Sequence, residues 1–315
     1  MSVQYKILPF KDFIRKILVN RCMLKEKTVD TYFLNSFGMK LIETSFTHKS
    51  LNALSYEPME ARGDPIFNAC ITEWIATAHP EIVSAAWISR LHSNLKSEKY
   101  LSYIAHNIGF GSYTKYSPEY YVLSDNPMED DEYKSMIADN MEALCGAIMG
   151  VCQQKPLTRG IGFTACSNMI FSFLYDLGPL DLTYEGLYDP KSRLKNLGDE
   201  KGWSANNLDI NKVLIVVEIT DNSLRRFSED IIIMKNVNNQ KIDLSQKFMA
   251  LAYKVSDNGK SKRIAVINTG SSKNKLDMKT ATDMLEIYKK MGIVGREKKL
   301  TDPESKYKKR RSIKM

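Results

Sequence analysis

The chain has 315 residues, of which 43% are hydrophobic and 26% charged, a soluble globular balance with enough chain for two domains. No run of about 18 apolar residues is present, which argues against a transmembrane helix, and MSVQYKILPFKDFIRK lacks the apolar core and cleavage site of a signal peptide. The net charge is +8, and residues 296–315, with nine Lys and Arg against three Asp and Glu, supply +6 of it. Such a tail suits a polyanion such as nucleic acid, or serves only as a solubilising extension.

Residues 8 to 180 read as helix after helix. PFKDFIRKILVN, FNACITEWIATAH, WISRLHSNLKSEKYLSYIAHNIG, YKSMIADNMEALCGAIMGVC and TACSNMIFSFLYDL all carry apolar residues at spacings of three and four. Asp125–Asn126–Pro127 and Pro156 interrupt the pattern, and Gly109 reads as a helix stop. The texture changes near residue 185. LYDPKSRLKNL reads as a short helix with Asp189 at its N-cap and Pro190 at its first position. Four β-rich runs follow: VLIVVEIT (213–220), DIIIMKN (230–236), FMALAYKV (248–255) and KRIAVIN (262–268), with Asp257–Asn258–Gly259 as a hairpin signal. A last helix, SSKNKLDMKTATDMLEIYKKMG, closes at Gly292. The expectation is an all-α domain followed by an α+β module of helix, three or four antiparallel strands and helix, with the helices on one sheet face.

The chemistry lies in the carboxylates. In YEPMEARGDP (56–65), Glu57, Glu60 and Asp64 fall on one helical face. In MIADNMEALCGAIMGV, Asp139 and Glu142 share a face of an otherwise apolar helix. Each cluster taken singly reads as a solvated or salt-bridged face. Together, with Arg62 the only cation inside either, they can converge into an all-oxygen cage for a hard divalent ion such as Mg²⁺ or Mn²⁺. Such an ion activates water and stabilises a leaving oxygen in phosphodiester cleavage. Pro65, inside the helix, is expected to remove a hydrogen bond to Ala61 O and re-aim Asp64. The five cysteines show no CxxC pair and read as reduced thiols rather than a zinc site, with Cys145 and Cys152, in apolar sequence, expected to be buried. His48 is expected beside the site; His79, His92 and His106 read as surface or structural.

These segments resemble the ribonuclease III domain. SFTHKS (45–50), EPMEARGD (57–64), SRLHSNLKSEKYLSYIAHNIGFGSY (89–113) and ADNMEALCGAI (138–148) follow in order the family's T-H-[KR]-S, N-E-R-L-E-F-L-G-D and A-D-x-x-E-A-[LI]-x-G-A segments, over roughly residues 8 to 180. The resemblance implies an all-helical endonuclease domain, residues 1–182, acting on double-stranded RNA as a homodimer and leaving 5′-phosphates and short 3′ overhangs. It implies that Glu60, Asp64, Asp139 and Glu142 bind Mg²⁺ or Mn²⁺ and are catalytic, with Glu57 at the edge of the cleft near the RNA. Residues 183–294 resemble the double-stranded-RNA-binding domain that accompanies this nuclease, through DPKSRL (189–194) and TGSSKNK (269–275). By that resemblance Ser272, Lys273 and Lys275 contact phosphates at a helix N-terminus. An insertion is expected between 236 and 247, and Asn274 replaces a usual lysine. RGIGFTACSNMIFSFL (159–174) looks most like the branch encoded by large DNA viruses. The expected location is intracellular: cytoplasmic, in the host if the chain is viral, with the nucleus as an alternative.

Three positions depart from the family pattern. Ala61 stands where an aromatic inserts into the partner subunit, Arg62 replaces an apolar residue, and Pro65 follows Asp64. They keep two other readings open: a catalytically weak or inactive protein that sequesters duplex RNA, and a structural subunit of a ribonucleoprotein.

Overall fold

The computed structural model describes residues 8–51, 54–120, 126–154, 159–178, 180–203, 213–220, 243, 245–255 and 262–295. They divide into two compact units, one ending at Leu180 and the other beginning at Asp181. The DIIIMKN run, the Asp257–Asn258–Gly259 turn, Pro156, most of the expected insertion and the basic tail lie outside the described residues.

The first unit is helical throughout. Its helices are α1 (Phe10–Asn20), α2 (Glu26–Thr28, continued as a wide turn over Val29–Phe33), α3 (Ser36–Thr44), α4 (Glu57–Ala78), α5 (Ala85–Leu95), α6 (Glu98–Ile108), α7 (Asp131–Cys152) and α8 (Arg159–Asp176). The N-terminal segment is a core helix: α1 buries Phe13, Ile14, Ile17 and Leu18, and Phe13 stacks on Tyr113 with ring centroids 4.2 Å apart. Gly109 takes φ 97° at the end of α6, a left-handed cap that glycine adopts without steric cost.

The unit is organised around α7. Asp130 caps it by accepting from Tyr133 N at 2.9 Å. From Met136 to Cys152 every residue except Asp139 and Met149 is buried. A helix apolar on nearly all sides must be surrounded, and α3, α4, α6 and α8 surround this one. Its closest partner is α4. A Cβ on Gly63 would lie 1.8 Å from Glu142 O, and a Cβ on Gly146 would lie 1.9 Å from Met59 O. The two backbones therefore touch, and only glycine at both positions permits it.

Pro65 does not end α4, which runs unbroken from Glu57 to Ala78. Pro65 and Ala61 both lie on the exposed face. The carbonyl that loses its partner can thus be met by water, and the packed face of the helix is left intact. All five cysteines are free and buried, and burial pushes the thiol of Cys70 up to about 12 and that of Cys152 up to about 11. Such thiols are unreactive.

In the second unit, a short α9 (Tyr184–Leu187) precedes α10 (Pro190–Glu200). Next come β1 (Leu214–Glu218), β2 (Phe248–Val255), β3 (Lys262–Gly270) and α11 (Lys273–Lys290). The strands form one antiparallel sheet in the order β1-β2-β3, with Val217 opposite Met249 and Val255 opposite Lys262. Asp189 caps α10 by accepting from Ser192 N at 2.8 Å. Leu194, Leu197, Ala281, Met284 and Tyr288 from the helices pack on Leu214, Ala252, Val255 and Val266. The other sheet face is also apolar and buried: Met249, Leu251, Tyr253, Ile264 and Ile267 form a second cluster. This explains why FMALAYKV reads as a continuous apolar run rather than an alternating one.

Candidate active site

The contact between α4 and α7 brings the two acidic segments together. Glu57 and Glu60 occupy the first turn of α4, where the helix dipole favours carboxylates, and Asp64 follows one turn later. Asp139 and Glu142 lie one turn apart on α7, beside the Gly63 crossing. Glu142 is buried, at 8% exposure, while Glu60, Asp64 and Asp139 are half-buried.

These side chains lie near enough to raise one another's pKa. Glu60 is pushed up to about 7 by burial, then by the charges of Asp139, Glu57 and Asp64. Glu142 is likewise pushed up to about 7 by burial and by Asp64, Glu60 and Asp139, with Lys96 opposing. Asp139 is raised by burial, and the hydroxyl of Tyr56, donating to its Oδ2 at 3.0 Å, holds it down in part. Glu98, at the start of α6, adds a further negative charge near Asp139.

Glu57 and Asp64 also pair with lysines. Glu57, exposed at the rim, pairs with Lys49 at 3.1 Å. Asp64 accepts from Lys96 Nζ at one oxygen and from Asn68 Nδ2, at 3.2 Å, at the other. Arg62 bonds Gln153 at the end of α7 rather than a site carboxylate. Among the described residues, no three His, Cys, Asp or Glu side chains are close enough as placed to hold a metal ion. The donor chemistry nonetheless fits one. Carboxylate oxygens are the ligands of hard divalent cations, and two carboxyls raised to about 7, first by burial and then by their neighbours' negative charge, mark a cluster that a cation would stabilise.

Two further residues complete the site: Tyr56, which the linear pattern did not single out, and His48, which the sequence placed beside it. Tyr56, 3% exposed, sits just before Glu57 and anchors Asp139. His48, 2% exposed, stacks against Tyr120 with centroids 4.2 Å apart and lies 5.6 Å from the Tyr56 ring. Its imidazole is held below the ordinary value by burial and by Lys49. The surrounding SFTHKS segment is pinned by His48 N donating to Lys115 O at 2.8 Å and Ser117 N donating to Ser50 Oγ at 2.9 Å. His48 thus supports Tyr56 from behind. His79, His92 and His106 bond Glu81, Asn68 O and Tyr133. Lys96 lies 32 residues beyond Asp64, a separation at which spacing alone cannot pair two residues.

Residues 57–153 match the family model of the ribonuclease III domain. This stretch is a ribonuclease III domain. The match runs from the first residue of α4 to the cap of α7, so all five acidic residues lie within it. It is narrower than the span of residues 8 to 180 over which the sequence resembles the family. No curated protein matches the chain. The ribonuclease III domain lies wholly in the first unit.

In the second unit, Ser272 stands at the N-cap position of α11 without a side-chain capping bond, and Lys273, Asn274 and Lys275 are exposed in its first turn. Two lysines at a helix N-terminus oppose the helix dipole, an arrangement that a bound anion would relieve. No helix among the described residues is long and apolar enough to cross a membrane.

Proposed function

We propose that the chain is a double-stranded-RNA-specific endoribonuclease that hydrolyses phosphodiesters with Mg²⁺ or Mn²⁺, leaving 5′-phosphates and short 3′ overhangs. The carrying observation is the Gly63–Gly146 contact, which sets Glu60 and Asp64 against Asp139 and Glu142 inside the ribonuclease III domain. In this reading those four carboxylates hold the ion. When bound, the ion lowers the pKa of a water molecule and stabilises the oxygen that leaves.

The chain's own residues do the rest. Glu60 and Glu142 give up their protons near pH 7 to become ligands. Tyr56 fixes the orientation of Asp139 through its hydroxyl. Lys49 holds Glu57 at the mouth of the cleft, where the duplex passes. The second unit acts as a double-stranded-RNA-binding module, with Ser272, Lys273 and Lys275 at a phosphate and the backbone N–H groups of α11 behind them. Two copies joined through the nuclease domain cut both strands.

The test uses the purified full chain, a long duplex RNA and either metal. Short fragments with 5′-phosphates are expected, and Glu142→Gln is expected to reduce cleavage by at least about a thousandfold, since it removes a charged ligand from the reacting centre. The second reading, a protein that sequesters duplex RNA without cutting it, is favoured by the Lys96–Asp64 pair, which ties up one of the four carboxylates. Intact RNA in both metals despite measurable binding would select it.

A further inference from the structure

The acidic cleft contains one ammonium group whose role neither the family match nor the proposed reaction supplies. Lys96 is the cap residue of α5, its backbone fixed by a hydrogen bond from its N–H to His92 O. The α5 segment runs along α4 so that two contacts one helical turn apart align. His92 Nε2 meets Asn68 O at 3.2 Å, and Lys96 Nζ meets Asp64 Oδ1. Lysine is favoured at this cap by the helix dipole, and its reach to Asp64 is set by the packing of α5 rather than by a chance surface encounter. Asp64 Oδ2 is taken by Asn68, so both oxygens of this carboxylate are occupied by protein donors. The charge of Lys96 also acts on Glu142 across the cleft.

We infer that Lys96 is a built-in competitor for the divalent ion: its ammonium neutralises Asp64 and must be displaced before Asp64 can serve as a ligand. This inference rests on the reading of the cleft as a metal site. One lysine supplies a single positive charge to a cluster of four carboxylates, so it can delay a divalent ion but not replace one. Its effect is to raise the metal concentration at which the cleft fills. Arg62, the cation closest to the acids in sequence, has no such role because it turns to Gln153.

The experiment measures Mn²⁺ binding to the full chain without RNA, by titration calorimetry, for wild type, Lys96→Met, Lys96→Arg and Asp64→Asn. Removing a paired cation from a partly buried carboxylate is expected to tighten Mn²⁺ binding about tenfold in Lys96→Met, while Lys96→Arg stays near wild type. The gain is expected to vanish when Lys96→Met is combined with Asp64→Asn. The unaltered protein offers a second readout. Displacement frees the ammonium, so labelling of Lys96 by an amine-reactive ester, read by mass spectrometry, rises severalfold on adding Mn²⁺. Equal affinity in wild type and Lys96→Met, with labelling unchanged by Mn²⁺, overturns the inference and leaves the metal site standing. Absence of Mn²⁺ binding in every form overturns the metal reading and this inference with it.

Discussion

At the scale of the residue, the protein holds two carboxyls near neutrality in a fold that brings like charges together. Glu60 and Glu142 titrate near 4.5 as ordinary carboxyls and near 7 in the cleft. Between those values the folded state binds more protons than the unfolded chain, so the pair's contribution to stability falls as pH rises from about 4.5 to about 7 and is constant above. His48 works in the opposite sense. Its imidazole is held below 6.5, so it costs stability at low pH and the cost disappears as pH rises through that value. The pair's share is isolated by a variant carrying Glu60→Gln and Glu142→Gln. In metal-free buffer that variant should melt above wild type at pH 8, by on the order of 5 °C, and the gap should close at pH 5. Millimolar Mn²⁺ should raise the melting temperature of wild type and leave the variant unmoved. A gap of equal size at both pH values would show that the raised values do not come from these two groups.

At the scale of the element, the α4–α7 crossing makes the site possible. Gly63→Ala and Gly146→Ala each place a methyl group within 2 Å of a backbone oxygen on the other helix. The helices must separate, at a cost of about 3 kcal/mol or more, read as a lower urea midpoint. Cleavage should fall further than the loss of folded protein explains, since the crossing sets the spacing of the carboxylates. Wild-type stability in either variant would contradict the close approach.

This crossing also marks what was legible in the sequence. The helical spacing of Glu57, Glu60 and Asp64, and of Asp139 and Glu142, is local and could be read directly. The caps at Asp189 and Gly109 were legible for the same reason. Pro65 costs the hydrogen bond to Ala61 O that the sequence implies, but periodicity alone does not tell that its ring lies on the exposed face of α4, where the helix continues. Lys96 was hidden because its reach depends on how α5 packs, and Arg62 drew attention only through its nearness in sequence. The second apolar sheet face, with Met249 and Leu251, was missed because FMALAYKV carries no polar alternation to reveal which side is covered.

At the scale of the whole molecule, the proposal needs two cleavage centres and therefore two copies. The exposed face of α4 bears Ala61, where the family resemblance implies an inserted aromatic side chain, so the proposed homodimer would have to rely on other contacts. Sedimentation at micromolar concentration is expected to show a homodimer. A monomer would contradict paired cutting and leave at most single-strand nicking.

The central claim is that the carboxylates gathered at the α4–α7 crossing cut duplex RNA. The most direct measurement is single-turnover cleavage of a radiolabelled duplex by wild type and Glu142→Gln, at protein concentrations that saturate binding for both. Wild type is expected to cut in a metal-dependent manner, and Glu142→Gln to leave the RNA bound but intact. Equal cleavage by both proteins, or no cleavage by wild type in Mg²⁺ or Mn²⁺ while the duplex stays bound, would contradict that claim.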